Sequence, residues 1–70
     1  MGNTIHIIVN GTERAVAEGT TVEALIAEVS PDGTRGVAVE INAEFLDPEK
    51  YGQVVCEGDA IEIVRFVGGG

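Results

Sequence analysis

Asn10-Gly11 constrains this chain more than any other feature. Both residues tolerate positive φ, so the pair closes a two-residue hairpin whose twist matches the strands on either side. Those flanks read as strands. Ile5, Ile7 and Val9 alternate with Thr4, His6 and Ile8, which predicts a strand over residues 3–9 with one apolar face. Thr12 to Ala17 is the returning strand. Asn10-Gly11-Thr12 also matches a glycosylation sequon. No basic segment followed by an apolar stretch opens the chain, so a secretory signal is not expected and the turn reading stands. Met1-Gly2 is read as an ordinary start or a cloning residue, because a myristoylation pattern needs Ser or Thr where His6 stands.

Gly19 breaks the hairpin pattern. Thr20-Thr21-Val22-Glu23 reads as a capping box, with Thr20 as N-cap and Glu23 at the third helical position. Val22, Leu25, Ile26 and Val29 follow at helical spacing and form one apolar stripe. The predicted helix covers 21–29 and ends at Ser30-Pro31, since Pro31 lacks an N–H and restricts its predecessor. Residues 36–41 alternate again, with Val37, Val39 and Ile41 on one face and Ala38 and Glu40 on the other. Asn42-Ala43-Glu44 is a turn and Phe45-Leu46 a short extended piece. Pro48 suits the first position of a short helical turn over 48–51. Glu57-Gly58-Asp59 is a turn, and 60–67 is the last strand, with Ile61 and Ile63 on one face.

Hairpin, helix, strand, short strand, strand describes an α+β roll: a mixed sheet of four to five strands with one helix across it. The first and last strands, each with a full apolar face, are the natural central neighbours. The chain has 70 residues, so it forms one domain with a thin core and little room for an enclosed active site. The domain is placed at 1–67 and a flexible glycine tail at 68–70.

Charge narrows the partners. Twelve acidic residues against four basic ones give a formal net charge of -8, a surface that repels phosphate. Nucleic acid and anionic membranes are not expected partners. No apolar run approaches the roughly 18 residues of a membrane span. One cysteine and one histidine make neither an internal disulfide nor a zinc set, and a cytoplasmic location is expected.

Gly68-Gly69-Gly70 follows the last strand directly. Three residues without side chains make a thin thread, about 10 Å long when extended. Such a thread can carry a carboxylate into a slot where a Cβ would collide. With the Gly58-Asp59 turn, the Ala60-Ile61-Glu62-Ile63-Val64 strand, the Asn-Gly hairpin and the Val37-Ala38-Val39-Glu40-Ile41-Asn42 strand, this end resembles the ThiS family. Its members are ubiquitin-like β-grasp sulfur carriers of thiamine biosynthesis. The likeness spans essentially the whole chain. It departs at Phe45-Leu46-Asp47-Pro48, where the family usually has Val-Pro-Arg.

The resemblance implies a protein cosubstrate rather than an enzyme. The Gly70 carboxylate would be adenylated, converted to a thiocarboxylate and used as a sulfur donor for thiazole formation. Gly68 and Gly69 would thread the partner's slot. No cofactor would be bound; ATP and Mg²⁺ would belong to a ubiquitin-activating-type adenylyltransferase. A persulfide-forming cysteine desulfurase and a thiazole synthase would be the other partners. The small subunit of molybdopterin synthase shares this chemistry, and its longer insert before the third main strand contrasts with the short 30–35 connection here. A ubiquitin-like binding module that never uses its tail is the alternative from another class.

Alternation also names a docking face. Ile8, Ala38 and Val64 point away from the helix, and Phe66 follows on the last strand. Contiguous apolar surface in a monomer usually has a use. Cys56, beside Val54, Val55, Glu57 and Asp59, reads as structural rather than redox-active. His6 reads as a surface strand residue, and Asp47, Glu49 and Glu57 as a solvated acidic face.

Overall fold

The computed structural model describes residues 2–30, 33 and 35–66. Gly68 to Gly70 and the domain boundary at Val67 lie outside the described residues. The strands are β1 (Thr4–Val9), β2 (Thr12–Ala17), β3 (Val37–Ile41), β4 (Glu44–Phe45) and β5 (Ala60–Arg65). The helix α1 (Val22–Val29) precedes β3, and a 3₁₀ turn, Pro48–Lys50, precedes β5.

The sheet order is β2-β1-β5-β3-β4. The first and last strands are central neighbours, as their apolar faces require, and they run parallel. All other pairs are antiparallel. Ile5, Ile7, Val9, Val39, Ile61 and Ile63 turn one face to the helix, which returns Val22, Leu25 and Ile26. Those three are fully buried, and burying each aliphatic side chain stabilises the fold by about 1.5–3 kcal/mol. The mixed sheet with one covering helix is the β-grasp arrangement.

Asn10 does more than turn the hairpin. Its φ of 50° meets the turn's demand. Its backbone N–H donates to the Ile61 carbonyl at 2.9 Å. Its side-chain Oδ1 accepts from the Ile63 N–H at 2.7 Å. The side chain thereby carries the β1–β5 ladder one step past the end of β1.

The helix starts one residue later than the capping box implied. Thr21 is the N-cap, its hydroxyl accepting from Ala24 N at 3.2 Å. Thr20 instead donates its hydroxyl to the Ala17 carbonyl at 2.6 Å. With Thr21 as N-cap, Glu23 stands at the second helical position and not the third that a capping box needs, and the loop supplies backbone acceptors at this end: Val22 N donates to Gln53 O and Glu23 N to Tyr51 O. Two of the orphan donors of a helix start are thus satisfied by backbone. At the other end Ser30, which precedes Pro31, is extended at φ -134° and ψ 103°. Val29, in the last turn, is exposed rather than part of the buried stripe.

The loop that caps the helix also fills the core. Tyr51 and Val55 are buried, and Thr21 and Val54 form an isolated bridge. The Tyr51 hydroxyl lies 3.5 Å from the Val37 carbonyl.

Candidate partner-docking face

Alternation fixes what the sheet shows on the side away from α1. Residues directly opposite across a ladder share a face. From the registers, this outer face holds Thr4, His6 and Ile8 of β1 with Ala17, Ala15 and Glu13 of β2. Ala60, Glu62 and Val64 of β5, Ala38 and Glu40 of β3, and Phe45 of β4 complete it.

The expected docking residues fall into two groups. Ala38 and Val64 are direct cross-strand partners. Phe66 continues the same ladder, its N–H donating to Gly36 O at 2.7 Å, and its side chain is 64% exposed. Val64 is 43% exposed and Ala38 half-buried. Ile8, 42% exposed, stands opposite Ala60 instead. Val64 stands four positions beyond Ala60 along β5, about 13 Å at strand rise, and Glu62 lies between them. The structure therefore joins Ala38, Val64 and Phe66 at one end of the face and sets Ile8 at the other.

Phe45 is the residue that reading the sequence passed over. It is 78% exposed and stands opposite Glu40. The signal was present: a two-residue Asn42-Ala43 turn fixes the register, so Phe45 must share the face of Glu40. Both turn residues have positive φ, 52° and 72°, the geometry of a primed hairpin turn.

One turn holds the lower end of this face together. Asp59 accepts twice: Oδ2 from Cys56 N at 2.8 Å and Oδ1 from Asn42 Nδ2 at 3.1 Å. Asn42 Oδ1 accepts from Ala60 N at 3.0 Å. The 56–59 turn is thereby tied to the β3–β4 hairpin. Cys56, expected as a structural residue, is exposed instead, and its neighbour Val55 takes the buried position. His6 is exposed as expected; its backbone N–H donates to Glu57 Oε1 at 3.0 Å, and its ring Nδ1 lies 3.9 Å from Glu57 Oε2. Among the described residues no group of three or more His, Cys, Asp or Glu side chains is placed to hold a metal ion. No helix among them is long and apolar enough to cross a membrane.

Comparison with known proteins gives these features a context. The model of the ThiS family matches residues 7–70. A sulfur carrier protein ThiS from Bacillus subtilis is 43% identical over 51 residues, 71% of this chain and 76% of that protein. A thiazole synthase from Paramagnetospirillum magneticum is 48% identical over 67 residues, 94% of this chain. Another from Magnetococcus marinus is 40% identical over the same length. The chain spans only 20% of the length of each of those two synthases. Among solved structures, the thiamine biosynthesis protein ThiS from Geobacter metallireducens superposes with a TM-score of 0.74 at 35% identity, covering 94% of this chain and 100% of that one.

Proposed function

Since the chain belongs to the ThiS family, we propose that it carries sulfur on the Gly70 carboxylate for the formation of the thiamine thiazole. The observation that carries this reading is the family match over 7–70, supported by a carrier of the same fold at 35% identity. The two synthase relatives support thiazole synthase as the acceptor partner: each contains a stretch like this chain within a longer protein. They favour that acceptor over a molybdopterin one.

A carboxylate is a poor electrophile at neutral pH, so it must be activated. Attack of the Gly70 carboxylate on the α-phosphorus of ATP gives an acyl adenylate and releases pyrophosphate. The terminal sulfur of a persulfide then displaces AMP. Two-electron reduction by a thiol cleaves the resulting S–S bond and leaves the thiocarboxylate. An adenylyltransferase of the ubiquitin-activating type, with ATP and Mg²⁺, performs the first step, and a cysteine desulfurase supplies the persulfide. The chain itself contributes recognition and the reacting group, as a cosubstrate. Gly68 and Gly69 thread the slot; Ala38, Val64 and Phe66, with Ile8 at the far end, dock.

The test separates carriage from passive binding. Appending one alanine after Gly70 moves the reacting carboxylate into a peptide bond. ATP–pyrophosphate exchange with the adenylyltransferase of the same organism should then fall to background, while affinity in a binding titration is kept. Gly69→Val should behave alike, since a β-branched side chain widens the thread. Full exchange by the extended chain would refute Gly70 as the reacting group.

A further inference from the structure

The antiparallel register of β3 and β5 sets Glu40 directly opposite Glu62 on the outer face. Side chains so placed have Cβ atoms about 4.5–5.5 Å apart, and like charges at that spacing destabilise a sheet. Among the described residues no ion pair within 4 Å engages either carboxylate. The Arg14–Glu28 ion pair and the His6–Glu57 contact both lie elsewhere. None of the outward strand positions holds Lys or Arg. The facing pair is also framed by apolar groups. Phe45 stands opposite Glu40 with its ring exposed, and Ala38 with Val64 forms the next outward pair along the same ladder.

We propose that this patch receives an arginine of the activating enzyme, its guanidinium bridging the Glu40 and Glu62 carboxylates beside the Phe45 ring. Charge complementarity selects the occupant: two facing carboxylates that no ion pair among the described residues engages, on a chain of net charge -8, call for a cation from outside. Geometry selects arginine over lysine. A planar fork with five donors spans two carboxylates and lies flat on an aromatic ring, which a compact ammonium does less well. Docking then relieves a repulsion that the free carrier bears. The proposal rests on the carrier reading above.

This predicts opposite signs in two measurements on Glu40→Gln/Glu62→Gln. The double variant should melt at a higher temperature than the parent, because the facing charges are gone. Its Kd for the adenylyltransferase should rise about tenfold or more, as for loss of a desolvated interfacial charge pair, with a weaker dependence on salt. Phe45→Ala should also weaken docking. An unchanged Kd for the double variant, with a parent chain that is adenylated normally, overturns the patch and leaves the carrier reading intact. Loss of binding to thiazole synthase alone overturns the choice of partner. A parent chain that neither binds the adenylyltransferase nor supports exchange overturns the carrier reading, and this proposal with it.

Discussion

Asn42 and Asp59, 17 residues apart in sequence, are joined side chain to side chain at 3.1 Å, and the same amide accepts the N–H of Ala60. This lock sets the start of β5 against the β3–β4 turn. Asn42→Ala removes both bonds and places a Cβ-only residue at φ 52°, so it should destabilise by about 2–4 kcal/mol. Asn42→Gly loses the bonds without the strain and should cost about 1 kcal/mol less. Urea denaturation of the two variants separates the contributions; equal losses would show that the backbone conformation is unstrained.

Ala43 follows at φ 72°, a conformation that a side chain makes unfavourable by about 1–2 kcal/mol. Ala43→Gly should therefore stabilise the protein by about 0.5–1 kcal/mol, the strain relief outweighing the added unfolded-state entropy. A lower melting temperature for this variant would contradict the turn geometry.

Leu25 is fully buried at the centre of the helix face. Leu25→Ala should cost roughly 2–5 kcal/mol, through lost transfer energy and the cavity left behind. An unfolding midpoint within error of the parent's would place the core elsewhere.

Val64→Asp tests the docking face without touching the core. Val64 is half in solvent, so the free protein should keep its melting temperature within a few degrees. Docking to the adenylyltransferase should weaken, since an unpaired charge is costly to desolvate in an apolar contact. Equal affinity of variant and parent in a titration would move the face.

The parts of this fold that repeat were legible in the sequence. Period-two alternation gave β1, β3 and β5, and Asn10-Gly11 gave the hairpin. The full apolar face on each of the first and last strands placed β1 beside β5. What failed to show depends on contacts between distant segments. Thr20 and Thr21 are equivalent as local caps; the choice falls to Thr21 because Tyr51 and Gln53 present carbonyls to the helix start. Tyr51 and Val55 lie in a stretch with no period, and only its wrapping over the helix end buries them. The docking residues were readable one strand at a time. Their grouping was not, since the distance from Ile8 to Val64 depends on the parallel stagger that sets Ile8 opposite Ala60.

That parallel stagger has a mechanical consequence. Because β1 and β5 run side by side in one direction, a load applied between Thr4 and Arg65 pulls along both strands. The bonds from Ile8 N to Asp59 O, Asn10 N to Ile61 O and Ile63 N to Asn10 Oδ1 then lie across the load and shear together. A load between Thr4 and Ala17, cross-strand neighbours at the open end of the hairpin, would peel its bonds one at a time. Single-molecule pulling from the two pairs of attachment points should find the higher rupture force for the first. The domain is therefore stiffer when pulled from Thr4 to Arg65 than when its hairpin is peeled open.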